Sequence, residues 1–267
     1  GSSGTIKVLT AGSNQWTTIP SGGTNGAYRV AVDKLGYVYA AYSYNVYKHQ
    51  PPVTRLVWDT QPGGGIVGTA WEKQPVVSLR DANGNILTND SSSTVTVTLN
   101  PADGATLDGI TSSATVTVNQ GVASFGDLKV DKPGTYSLTL SCSLSNDSIE
   151  CPESVPFMIT AGPVNAGQST VDVDKTVVTA DGADSASITV TLKDAYGNPV
   201  SGKTVKLTQG SGNSIILPAD SIITNGDGKA VFSVSNTKAE KVTYTATDIS
   251  DGNLEIVQKV EISFTAG

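Results

Sequence analysis

"LKDAYGNPV", residues 192–200, nearly repeats "LRDANGNIL", residues 79–87, and the fold follows from what stands around the two copies. In the shared Asp-Ala-x-Gly-Asn, Gly84 and Gly197 accept positive φ without a Cβ penalty, while Asp81, Asp194, Asn85 and Asn198 can hydrogen-bond their own backbone. That is turn chemistry. "QPVVSLRD" and "ASITVTLKD" lead into the turns with alternating apolar residues, and "STVTVTLN" and "KTVKLTQ" lead out in the same way. Both copies read as strand, turn, strand.

Other segments recur after the turns, in the same order. "GVASF" at Gly121 to Phe125 matches "GKAVF" at Gly228 to Phe232, and "GTYSLTL" around Tyr136 matches "VTYTATD" around Tyr244. Two copies of one unit of about 105 residues therefore follow one another, each offering about seven short strands between turn signals. The 267 residues hold 28 Gly, 12 Pro and a single Met, and no stretch carries sustained apolar spacing at helical period. The reading is all-β, with tandem immunoglobulin-like β-sandwiches and a small N-terminal β-meander.

Period-two faces give the expected cores. In the second unit they are Ile188, Val190, Leu192, Val205, Leu207, Ala230, Phe232, Val234, Val242, Tyr244, Ala246, Val260, Ile262 and Phe264. In the first they are Val77, Leu79, Val95, Val97, Leu99, Phe125, Leu128, Tyr136, Leu138 and Phe157. The join falls near "ITAGPVNAGQS", where Gly162, Pro163 and Gly167 interrupt the strand pattern. The expected divisions are 1–55, 56–162 and 163–267.

Residues 169–267, with "TVVTADGADSASITVTLKDAYGNPVSGKTVKL" and "ITNGDGKAVFSVSNTKAEKVTYTAT", resemble the bacterial Ig-like domains of the invasin and intimin class. Residues 56–161, with "LVWDTQPGGGIVGTAWEKQPVVSLRDANGN" and "GVASFGDLKVDKPGTYSLTL", resemble the Ig-like repeats of large secreted and S-layer-associated bacterial proteins. The resemblance implies stalks and adhesive surfaces on cell envelopes rather than catalysis. It implies a secreted or cell-surface location.

The first 55 residues differ. Six of the nine Tyr lie between Tyr28 and Tyr47, and "IPSGGTNGAYRVAVDKLGYVYAAYSYNVYKHQ" resembles one NHL-type propeller repeat, with Asp33 to Gly36 as its turn. Tyr37, Tyr39, Tyr42, Tyr44 and Tyr47, with Trp16, are the candidate face, either for a ligand such as a glycan or for packing on the next domain. "HQPPV" is a stiff joint. The opening "GSSGT" reads as an expression scar, which predicts that the chain was cut from a longer one.

Candidate chemistry is sparse. The net charge of −7, with no dense run of Lys and Arg, argues against nucleic acid as a partner, and no apolar stretch is long enough to span a membrane as a helix. The single histidine, His49, stands beside two prolines with no recognisable triad context. No cofactor is expected. Calcium is the metal that "DVD" at Asp172 to Asp174, "NGDG" at Asn225 to Gly228 and "DISDGN" at Asp248 to Asn253 could attract, but none has calcium-loop spacing and ordinary turn usage is favoured. Folding "YSLTLSCSLSNDSIECPESVPFMI" about its centre puts Cys142 opposite Cys151, with Cys151, Val155, Phe157 and Ile159 on one face, so a disulfide is expected.

The function expected is a non-enzymatic adhesive stalk, spacer or interaction module with a cell-surface glycan or protein receptor as partner. The alternative is a carbohydrate-binding accessory module of an extracellular polysaccharide-degrading system.

Overall fold

The computed structural model describes residues 53, 55–107, 109, 111–142 and 149–267, without the side chain of residue 142, and before residue 53 it describes only strand backbones. Those early strands are β1 (Ile6–Leu9) and β2 (Trp16–Ile19), an antiparallel pair, and β3 (Arg29–Val32), β4 (Val38–Tyr42) and β5 (Asn45–His49), an antiparallel meander. A propeller blade is a four-stranded sheet. A three-stranded meander with a separate hairpin gives the NHL-type reading no support.

The first sandwich is built from β6 (Arg55–Thr60), β7 (Gly65–Ile66), β8 (Val76–Arg80), β9 (Thr94–Asn100), β10 (Ser113–Thr117), β11 (Val122–Ser124), β12 (Gly134–Cys142) and β13 (Phe157–Thr160). One sheet runs β11-β8-β6, the other β10-β9-β12-β13-β7. In β9 the alternation of Thr with Val95, Val97 and Leu99 decides the facing: the aliphatic side chains are 0%, 0% and 3% exposed, and the threonines look outward. Trp71 packs on Phe157 with ring centroids 4.8 Å apart, closing the core at the β7 edge.

The second sandwich comprises β14 (Thr170–Val173), β15 (Val177–Thr179), β16 (Ser185–Thr191), β17 (Thr204–Gln209), β18 (Ile215–Leu217), β19 (Ile222–Ile223), β20 (Lys229–Ser235), β21 (Glu240–Asp248), β22 (Leu254–Glu255) and β23 (Val260–Thr265). Its sheets run β14-β16-β20-β18 and β15-β23-β21-β17-β19, with β22 paired to β21. This is the immunoglobulin order, in which the first strand switches sheets and the last pairs parallel to it. The first sandwich repeats the switch, since β13 pairs parallel to β7.

Each sandwich has its own hydrophobic core. Every position assigned to the two expected cores is buried except Val260, which packs half-buried at the core's rim; Val155, placed on the face of Phe157, is a further exception described below. The strands flanking each Asp-Ala-x-Gly-Asn turn belong to opposite sheets, β8 to β9 and β16 to β17, so the turn carries the chain across the sandwich rather than closing a hairpin. Behind each turn a glycine opens the returning strand: Leu79 N–H bonds Gly121 O at 2.8 Å, and Leu192 N–H bonds Gly228 O at the same distance.

The expected Cys142–Cys151 disulfide is not formed; Cys151 is a free, exposed thiol, and the side chain of Cys142 lies outside the described residues. The assumed hairpin register holds at Gly134 opposite Ile159 and Tyr136 opposite Phe157. Toward Cys142 the partner strand leaves. Leu56 N–H takes Glu150 O at 2.9 Å and the Trp58 indole N–H donates to Pro152 O at 2.9 Å, so residues 150–152 cover β6 of the opposite sheet. Pairing there satisfies an edge strand and a half-buried indole that a continued hairpin would leave open. Val155, expected on the inner face, is 53% exposed for the same reason.

Candidate functional site: the joint between the sandwiches

The joint begins in the linker. β13 runs directly into Ala161, Gly162 and Pro163, and Asn165 N–H then bonds Lys193 O at 2.7 Å, so few residues separate one core from the next. Buried Gly162 donates its N–H to Asp194 Oδ2 at 3.1 Å. Asp194, 0% exposed, also accepts the N–H groups of Tyr196 and Asn198 at Oδ1, both at 2.9 Å. A carboxylate bonded by several amides keeps its charge compensated without a cation. The second copy of the turn is thereby tied to the linker that enters it.

Asn198 reaches further. Its side-chain amide donates to Asp194 and, at 2.8 Å, to the main-chain carbonyl of Asp131 in the first sandwich. The loop around Asp131 is fixed in turn, because its carboxylate accepts Thr106 N–H at 2.7 Å and Thr106 Oγ1–H at 2.6 Å. The preceding carbonyl, Val130 O, receives Gly68 N–H at 2.9 Å. Gly68 has φ +73°, and a Cβ there would fall 2.3 Å from the Tyr196 ring, so the phenol of the second sandwich lies on bare backbone of the first.

Beside these contacts lies a cleft of about 650 Å³ between Ile66 and Thr160 on one side and Val200, Lys203 and Asp251 on the other. Lys203 Nζ pairs with Asp251 Oδ2 at 2.6 Å on the second sandwich's side of the cleft. The contacting loops lie at the β13 exit of the first sandwich and at the β14 entry of the second, which puts the sandwiches end to end. Nothing here positions a nucleophile against a base. The contacts tie the second sandwich to the linker and to the loop around Asp131.

The first copy of the turn is used differently. Asp81 accepts Asn83 N–H and Asn85 N–H at 2.9 Å each, matching Asp194. Its neighbours are arginines of its own sandwich. Arg80 Nη1 donates to Gly84 O at 3.1 Å, and a Cβ on Gly84 would lie 2.8 Å from the Arg55 guanidinium. Around Gly197 nothing stands within 4 Å of the equivalent point. One turn braces its own sheet, and the other is open to a neighbour.

Of the sequence candidates, Trp16 lies in β2, Tyr39 and Tyr42 in β4, and Tyr47 and His49 in β5, all with side chains outside the described residues; Tyr37 and Tyr44 lie outside the described residues altogether. Several carboxylate and carboxamide oxygens of the loops weighed for calcium accept main-chain N–H groups, while Asp248 Oδ2 is buried without a hydrogen-bond partner among the described residues. Asn225 Oδ1 accepts Asp227 and Lys229 N–H, Asp248 Oδ1 accepts Ser250 N–H, and Asp174 Oδ1 accepts Ser187 N–H. Gly68, Asp131 and Gly162 were not read as site residues. The one available signal was Tyr196 standing where the first copy has Asn83, an aromatic spent on the outside of a turn.

Strand order and joint together define a tandem pair of Ig-like domains. Residues 168–265 match the family model of the bacterial Ig-like domain (group 1). The inverse autotransporter adhesin YeeJ of Escherichia coli (strain K12) is 30% identical over 191 residues, 68% of this chain and 7% of that protein. The chain thus spans a small fraction of that relative. Among solved structures, invasin, described as a bacterial integrin-binding protein, is 25% identical with TM-score 0.43, covering 79% of this chain and 39% of its own. The Escherichia coli adhesin FdeC is 20% identical with TM-score 0.46, covering 82% of this chain and 66% of its own. This chain is similar to bacterial surface adhesins.

Proposed function

We propose that the chain is a non-enzymatic section of a bacterial surface adhesin, in which the paired sandwiches form a bend-resistant stalk and contribute to an adhesive surface for a receptor on another cell. The observation that carries this reading is the joint: a buried carboxylate, a carboxamide crossing to the neighbouring domain and a ring laid on glycine restrict bending where a spacer must hold its direction. Antiparallel ladders along each sandwich suit load-bearing for the same reason, since many backbone bonds share a pull. The similarity over 191 residues to an inverse autotransporter adhesin supports a cell-surface location.

Beads coated with the full chain and washed over cultured epithelial cells test the adhesive half, and small-angle scattering of the free chain tests the stalk half. Retention above uncoated beads and scattering fitted by one interdomain arrangement are expected. Beads that wash away would remove adhesion, and scattering that requires a broad range of bends would remove the stalk.

A further inference from the structure

A strand at the rim of a sheet offers main-chain N–H and C=O groups to any other strand, and folds guard against this with short edges, charge, proline or a covering segment. The two sandwiches guard most of their rims. Residues 150–152 cover β6, while β7, β19 and β22 are two residues long, β11, β15 and β18 are three, and β14 carries Asp172. β10 differs: it is five residues long, it lies at the rim of the sheet β10-β9-β12-β13-β7, and no acidic or basic side chain and no proline occurs from Thr111 to Asn119. Leu99 N–H bonds Ser112 O at 2.8 Å and Val118 N–H bonds Ser93 O at 2.9 Å, so in the alternating ladder Ala114 and Val116 also turn their main-chain groups to β9. Ser113, Thr115 and Thr117 therefore turn theirs to the open side. There Ser113 O takes the Thr111 hydroxyl at 2.7 Å, and the amides of Thr115 and Thr117, both exposed residues, bond nothing among the described residues.

We propose that β10 is a self-association edge, pairing antiparallel with β10 of a second copy of this chain about a two-fold axis at Thr115. In that register Thr115 exchanges both main-chain bonds with its counterpart, Ser113 pairs with Thr117 of the second copy, and Thr117 pairs with its Ser113. The side chains then match by row. Ser113, Thr115 and Thr117 continue the hydroxyl face of Thr94, Thr96 and Thr98, while Ala114 and Val116, half-buried against the core, meet Val116 and Ala114 of the second copy. The two five-stranded sheets join as one of ten strands, five from each copy. Charge selects a copy as the occupant: each chain carries −7, so copies repel over most of their surface, and β9, β10 and β12 supply a face without acidic or basic side chains on which they can meet. A charged strand from another protein would find no countercharge there. The ladder is short and the interface small, so association is weak in solution and is favoured where chains are crowded. Retention of beads on cells and pairing of chains succeed or fail independently.

Sedimentation velocity of the full chain from roughly 10 μM to roughly 1 mM is the test. The weight-average mass is expected to climb from one chain toward two, and amide exchange at Thr115 and Thr117 to slow at least about tenfold over the same range. Thr115→Lys, which sets like charges face to face across the axis at an exposed position, is expected to hold the chain monomeric with an unchanged melting midpoint. Thr115→Pro, which removes a donor that the β9 ladder does not use, should give the same monomer by a different route. Leu217→Lys on the β18 edge, where Leu217 is 58% exposed, should leave the concentration dependence as it is. A chain that stays monomeric at the highest concentration overturns the proposal, as does a dimer that survives Thr115→Lys or is lost with Leu217→Lys. Exchange at Thr115 and Thr117 that is equally slow at every concentration overturns it too, because a segment of the same chain would then occupy the edge.

Discussion

The side-chain amide of Asn198 donates across 2.8 Å to the main-chain carbonyl of Asp131, a hydrogen bond from the second sandwich to the first. It lies beside the linker and has the Tyr196 ring as its apolar neighbour, so it fixes rotation about the linker more than it adds to either core. Asn198→Ala should cost about 1 kcal/mol and convert a coupled melt into two resolved transitions, read by calorimetry. A single unchanged transition would mean that the linker alone couples the domains.

Gly228 opens β20 with φ +71°, and a Cβ there would lie 2.6 Å from the Leu192 carbonyl oxygen. Gly228→Ala meets both a disfavoured dihedral and backbone that cannot move aside. A loss of more than about 2 kcal/mol is expected, seen as a lower urea midpoint with unchanged slope.

Asp81 and Asp194 hold like turns, yet only Asp194 also takes the linker's Gly162 N–H. Either residue changed to Ala should destabilise its own sandwich by about 3 kcal/mol, because main-chain amides lose their acceptor. Asp194→Ala alone should also speed hydrogen exchange at Gly162. Equal exchange in both variants would contradict the assignment.

Glu240 accepts Asn213 N–H at 2.8 Å and the Asn236 amide at 2.9 Å, with Lys238 Nζ 2.9 Å away; the Asn213 backbone amide foremost, then Asn236 and Lys238, lower its pKa from 4.5 to about 2. A carboxyl depressed by folding contributes its full stability above the unfolded value and loses it as pH falls through the folded one. The second sandwich should therefore lose stability between about pH 4.5 and pH 2, and Glu240→Gln should flatten that part of the profile. Thermal midpoints measured across this range check it.

Cys151, free and exposed, should be alkylated in the native protein without reductant. A linked Cys142–Cys151 peptide in the unreduced digest would restore the pairing expected from the sequence.

The cores were legible because Thr-Val alternation in strands such as β9 and β16 specifies facing at period two, and a slip of one residue would turn every aliphatic side chain to water. Turn chemistry was legible for a similar local reason, as Asp194 bonds amides only two and four residues ahead. The disulfide failed where a local register was extended past the point at which β6, distant in sequence, competed for the same strand. Sequence by itself determined two Ig-like sandwiches and their inward residues, since each depends on spacing along one segment. Only tertiary structure decided that one Asp-Ala-x-Gly-Asn turn braces its own sheet while the other clamps a neighbour. That choice rests on Arg55 standing over Gly84 and on open space around Gly197, which Tyr196 and Asn198 use to reach Gly68 and Asp131, and contacts between residues so far apart in the chain leave no periodic trace in it.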